Sequence, residues 1–105
     1  MKDPTSSRPK VYLPNLSSHD ISDAHRFGDI IPLTEGKISR YSTNHLYREI
    51  EPIIAESSPE DYILLTGLTV INVIVASLYA LKHNRLNLLI HRADDNTYIN
   101  RIINF

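Results

Sequence analysis

The chain has 105 residues, 42% hydrophobic and 22% charged, with a formal net charge of -1, a size that suits one domain with one core. The near-neutral balance leaves no basic excess for electrostatic binding of nucleic acid and no polybasic run for an anionic membrane surface. The absence of cysteine excludes disulfides, thiolate catalysis and cysteine-ligated zinc, and suits a reducing compartment.

Residues 1–9 (MKDPTSSRP) read as a flexible lead-in with nothing to bury. Residues 10–105 read as a single α/β domain. Val11 and Tyr12 favour a first strand over 11–16, which Pro14 limits. Ser17 or Ser18 then caps a helix with Asp20 in its first turn and Gly28 past its end. Ile21, Ala24 and Phe27 would face inward. Residues 29–34 (DIIPLT) read as a second strand, and Pro32 points to a sheet edge. A turn at 35–37 follows. Ser42 or Thr43 opens a second helix to about Glu56, with Leu46, Ile50, Ile53 and Ile54 at helical spacing. Pro52 should kink or restart it.

The most informative segment starts at Asp61. The run 62–65 (YILL) is apolar on both faces, as a buried parallel strand requires. Thr66-Gly67 ends it, and Thr69 caps a helix over 70–83 that is apolar nearly all round and reads as the buried core helix. Lys82 and His83 suit the negative end of its dipole, and Asn84 suits a left-handed exit. Its longest apolar run, 70–81, is interrupted by Asn72 and Ser77 and is shorter than the roughly 20 residues of a bilayer span. Residues 86–91 form the next strand, which makes 62–90 a βαβ unit. A turn at 94–96 then leads to a last strand over 98–103 in an antiparallel hairpin. The expected fold is a small Rossmann-like three-layer α/β sandwich. Its sheet has about four or five strands, mostly parallel, with the antiparallel hairpin at its end.

Chemistry is best placed at the strand-to-helix turns. In an open α/β sheet, ligands settle beyond the carboxyl ends of the parallel strands. At Thr66-Gly67-Leu68-Thr69 a helix begins, so free N–H groups and a positive dipole end face outward. Gly67 permits close approach, the Thr66 and Thr69 hydroxyls offer hydrogen bonds, and Asn72 lies one turn on. This is a candidate phosphate cradle, although it is neither a Walker sequence nor GxGxxG. An ordinary helix cap explains the same residues. If the first strand is parallel to the third, the polar loop with Ser17, Ser18 and His19 joins the same edge.

Other constellations are thinner. His19-Asp20 lacks the further ligands of an HD phosphohydrolase. His19 and Asp23 offer at most a two-point metal site, against local pairing on an exposed helix. No Ser/His/Asp set can be assigned by spacing, and no catalytic residue, metal ligand or cofactor is assigned. Glu60 and Asp61 read as solvent-facing charge. Tyr12, Tyr47, Tyr62 and Tyr98 could belong to a partner surface or to strand packing. Arg85, Arg92 and Arg101 fall near strand ends and would serve nucleic acid only if they clustered.

The segments HDISDAHRFGDIIPLTEG, SPEDYILLTGLTVINVI and KHNRLNLLIHR resemble a group of small tailed-bacteriophage proteins, over most of the chain from Lys10 to about Tyr98. The resemblance implies a virus-encoded protein acting in the host cytoplasm and carries no functional residues. Residues 1–9 fall outside it. The expected function is therefore a non-enzymatic interaction or accessory protein that associates with a protein partner or with itself. The alternative is a nucleotide- or phosphate-ligand binder, a signal sponge or minimal phosphotransfer enzyme, using the two turns. Nucleic-acid and membrane partners are not expected.

Overall fold

The computed structural model describes residues 8–16 and 20–105. Five strands, β1 (Lys10–Leu13), β2 (Asp29–Pro32), β3 (Tyr62–Leu64), β4 (Arg85–Arg92) and β5 (Thr97–Asn104), form one sheet in the order β2-β1-β3-β4-β5. All neighbours are parallel except the β4–β5 hairpin. Two α-helices, α1 (Thr43–Ala55) and α2 (Thr69–His83), supply the crossovers into β3 and β4. The α/β class, the mostly parallel sheet and the terminal antiparallel pair agree with the expectation from sequence.

Strand periodicity sorts the core into two halves. On one face Tyr12, Ile63 and Leu88 meet a stripe from each helix, Leu46-Ile50-Ile54 of α1 and Ile71-Val75-Tyr79 of α2. On the other face Val11, Leu13, Leu64, Leu89 and Tyr98 surround Ala24. Ala24 belongs to a short 3-10 helix, Ser22–Arg26. This second face therefore carries a thin layer, where the sequence had suggested a helix beginning near Ser17. Gly28 lies just beyond it for a reason other than helix exit. A Cβ there would sit 2.1 Å from the Pro9 carbonyl oxygen.

Three elements differ in detail from the sequence reading. Pro52 sits inside α1, which runs through it without restarting. Only one stripe of α2 is interior, and Val73 and Leu81 are 60% and 85% exposed. An apolar outer face does not oblige a helix to be enclosed, since folded surfaces carry much apolar area. Asp61 is 4% exposed instead of solvent-facing. Its carboxylate accepts the Lys10 and Ser58 backbone N–H groups, both at 2.9 Å, and the Tyr12 hydroxyl at 3.2 Å. Those three donors account for a buried carboxylate.

The amino end of the sheet is closed around this knot. Tyr79 Oη donates to the Asp61 carbonyl at 2.7 Å, and Asn87 Nδ2 reaches the same oxygen at 3.0 Å. Burial, then the Asp61 carboxylate, pushes the Tyr12 hydroxyl far above its ordinary value. The helix ends are tied nearby. Lys82 Nζ donates to the Ala55 carbonyl, and His83 Nε2 lies 2.8 Å from Ser57 Oγ. Asn84 takes the left-handed exit from α2, with φ 57°.

Candidate functional site

The strand order contains one reversal of winding. From β1 the chain steps outward to β2, then crosses back over β1 to β3 and continues to β4. The switch point lies between β1 and β3, and open α/β sheets bind ligands beyond the carboxyl ends of the strands there. A crevice of about 710 Å³ occupies this place. Leu13 closes β1 into it, Leu64 and Leu65 close β3, and Ile90 and His91 close β4. Tyr98 enters from β5 and Ile21 from the segment before the 3-10 helix.

Its walls are mainly apolar. Polar groups come from Asn15, Thr66 and His91, and none of the described lining residues is Lys or Arg. Asn15 is oriented by two bonds. Its Nδ2 donates to the Gly36 carbonyl at 3.1 Å, and its Oδ1 shares the single Thr34 hydroxyl proton, at 2.8 Å, with the Pro14 carbonyl at 2.7 Å. His91 Nε2 lies 2.7 Å from Asn96 Oδ1, and Asn96 Nδ2 donates to the Asp20 carboxylate at 2.9 Å. The His91 ring also rests against Tyr98, with centroids 5.3 Å apart. Burial raises the Tyr98 hydroxyl above its ordinary value.

The turn after β3 is built by its own polar groups. Thr66 Oγ1 accepts the Leu68 backbone N–H at 3.1 Å, and Asn72 Nδ2 donates to the Thr66 carbonyl at 2.7 Å. Asn72 thus reaches back to this turn from α2 and braces it. Leu68, not Thr69, holds the N-cap position of α2, and no side chain caps the helix. Thr66 lines the crevice, Gly67 lines both it and a smaller groove on the helix side, and Thr69 lines only that smaller groove, with Arg40 and Tyr41. Ser17, Ser18 and His19 lie outside the described residues. The loop that contains them is flanked by Asn15, which lines the crevice. Because β1 and β3 are parallel neighbours, the loops that follow them leave by the same edge.

Gly67 is informative by what does not require it. Gly36 is the one glycine at positive φ, and a Cβ on Gly67 would meet nothing within 4 Å. Neither backbone conformation nor packing demands glycine there. The residue leaves open space beside the crevice. Leu13, Leu64, Ile90 and Tyr98 were absent from the sequence-derived site because their apolar side chains read as core. The signal that would have found them is position: each closes or faces the carboxyl end of a parallel strand.

The remaining candidates separate. The Asp23 carboxylate holds the Tyr98 backbone N–H at 2.7 Å and Arg26 Nε at 3.0 Å, so local pairing occupies it. Arg85 and Arg92 stand at opposite ends of β4, and Arg92 pairs with Asp95 at 3.5 Å. Arg92 and Arg101 line one open groove with Arg26, Asp23 and Asp95, and Arg85 lies outside it, so the three strand-end arginines do not form a single cluster. Tyr12 and Tyr98 are buried, whereas Tyr47 is half-exposed. The Ser57–His83 contact was not visible from spacing. Ser57 Oγ also lies 2.6 Å from the Ile54 carbonyl and is its donor, so the hydroxyl proton points away from the imidazole. Burial holds His83 below its ordinary value. Among the described residues, no group of three His, Asp or Glu side chains is arranged to hold a metal ion, and no helix is long and apolar enough to cross a membrane.

No curated protein and no solved structure matches the chain. One family model does, and it spans residues 9–105, taking in every strand and both helices of the sheet whose switch point forms the crevice. On that match the chain belongs to the Phage Pam3 gp32-like protein family.

Proposed function

We propose that this phage protein is a non-enzymatic accessory protein that binds a small molecule in the switch-point crevice. The observation that carries the reading is Gly67, a glycine that the backbone does not need, beside an open apolar crevice at the sheet's topological switch point. Apolar walls with a few placed polar groups are the usual composition of small-ligand sites. The lining also selects among ligands. Without Lys or Arg along its described walls, the crevice suits a flat, uncharged body with hydrogen-bonding edges, such as a nucleobase or nucleoside. It suits a bare phosphate poorly. Asn15, Thr66 and His91 supply the polar contacts at the rim. The setting we propose is the host cytoplasm, which suits a phage chain without cysteine.

Calorimetric titration with nucleosides, nucleotides and inorganic phosphate tests this. At least one nucleoside should bind the wild-type chain, inorganic phosphate alone should not, and Gly67→Leu should abolish binding without lowering Tm. Equal binding by Gly67→Leu, or no heat from any nucleoside or nucleotide, overturns the reading.

A further inference from the structure

The outer strand β5 pairs with β4 along one side only. At Tyr98 the N–H and C=O point away from β4, because they meet Asp23 and Arg26. Antiparallel ladders alternate, so the outward set continues every second residue, through Asn100, Ile102 and Asn104. Phe105 fits the alternation, since its N–H turns inward to the Asn84 carbonyl. Beyond the Asp23–Arg26 clamp, then, no strand among the described residues covers the outward groups over 100–104, and the Asn100 carbonyl, which accepts the Arg101 guanidinium, would share or exchange that donor on pairing. Ile102, Ile103 and Phe105 are 49%, 45% and 66% exposed there. Edge strands are ordinarily blunted by lysine, proline or a bulge. This stretch, Asn-Arg-Ile-Ile-Asn, has no lysine or proline, and its one charge folds back, with Arg101 donating to the Asn100 carbonyl at 2.9 Å.

We propose that β5 is a self-association edge, and that two copies join antiparallel about a two-fold axis at Ile102. Hydrogen-bond parity permits only registers that set one copy's outward residues against the other's, and the side chains choose among these. Centring on Arg101 would put two guanidinium groups directly opposite, which is repulsive. Centring on Ile103 would run Asn100 past the end of the strand. Centring on Ile102 sets Ile102 against itself, Asn100 against Asn104 of the second copy, and Arg101 against the second copy's Ile103. Phe105 then comes opposite Ile99 of the second copy. Pairing ends at Ile99, one residue short of the Tyr98 clamp. The two five-stranded sheets become continuous, and the shared edge lies away from the walls that β1 and β3 give the crevice. The inference is independent of the ligand reading.

Sedimentation equilibrium of the wild-type chain should return a dimer mass, and Ile102→Lys, which sets like charges at the axis, should weaken the dimer at least tenfold while leaving the far-UV circular dichroism of the folded chain unchanged. Since the chain has no cysteine, single-cysteine variants read the register directly. At the axis the Cα atoms lie about 5.5 Å apart, within reach of a disulfide. Under mild oxidation Ile102→Cys should therefore form a covalent dimer faster than Ile103→Cys does, a control that keeps Arg101 in place. A wild-type monomer at all concentrations, a dimer indifferent to Ile102→Lys, or faster cross-linking by Ile103→Cys each overturns the proposal.

Discussion

Asp23 and Tyr98 are 75 residues apart in sequence, yet the Asp23 carboxylate accepts the Tyr98 backbone N–H at 2.7 Å. Arg26 Nη2 donates to the Tyr98 carbonyl at 2.8 Å. One turn of 3-10 helix thereby satisfies both backbone groups of an edge residue that β4 does not pair. The same contact fixes Tyr98 as a wall of the crevice.

The clamp should respond to acid. The Tyr98 N–H, then the Arg26 guanidinium, holds the Asp23 carboxyl below its ordinary value of 3.8. A folded-state value that is depressed stabilises the clamp above the unfolded value, and the contribution is lost as pH falls through the folded one. The Tyr98 amide proton resonance should therefore hold its position from neutral pH down to about the ordinary carboxyl range and move upfield below it. In Asp23→Asn it should start upfield and show no such transition. A pH-independent Tyr98 resonance in the wild type would show that the Asp23 carboxylate does not hold this N–H in solution.

Gly28 and Gly67 make opposite predictions. A methyl group on Gly28 would meet backbone, the Pro9 carbonyl oxygen, which also accepts the Asp29 N–H at 2.9 Å. Neither group can yield without opening the β1–β2 ladder. Gly28→Ala should cost about 1–3 kcal/mol, as overpacking does. Gly67→Ala should be neutral or stabilising by up to about 1 kcal/mol, since it only restricts the unfolded chain. Denaturant titration of the two variants reads the contrast.

The architecture was legible where local pattern and topology agree. The both-face apolar run at 62–65, the helix after Gly67 and the strand at 86–91 specify a βαβ unit, and β3 and β4 are parallel neighbours. The edge position of β2 followed from Pro32. The crevice was legible only through its polar turn. Thr66 and Gly67 line it, but its walls are leucines and isoleucines, indistinguishable in sequence from core. Asp61 was misplaced for the converse reason. Its partners, Lys10, Tyr12 and Ser58, come mostly from more than 45 residues away, and no local pattern announces such a pairing.

The Asp61 knot should be costly to cut. Asp61→Ala would strand two backbone N–H groups and the Tyr12 hydroxyl in the interior. Unsatisfied buried groups cost about 1–3 kcal/mol each, so a loss of at least about 3 kcal/mol is expected. Tyr79→Phe removes one donor from the same region, the hydroxyl at 2.7 Å from the Asp61 carbonyl. It should cost about 1 kcal/mol. Equal effects of the two substitutions on the urea midpoint would show that the carboxylate does not organise the amino end of the sheet.

Helix α2 is apolar almost all round, so its composition does not say which face is inside. Register decides it. Ile71, Val75 and Tyr79 recur every four residues and fall on the sheet, so Val75 is fully buried while Leu81 is 85% exposed. Removing buried methyl groups costs both transfer energy and a cavity. Val75→Ala should therefore lose about 2 kcal/mol. Leu81→Ala removes more carbon but leaves no cavity and should stay within about 0.5 kcal/mol, as surface changes do. Were Leu81→Ala as damaging as Val75→Ala, the outer face of α2 would have to be covered in solution. Sedimentation of Leu81→Lys would then show whether that cover is a second copy, which would move self-association from β5 to this helix.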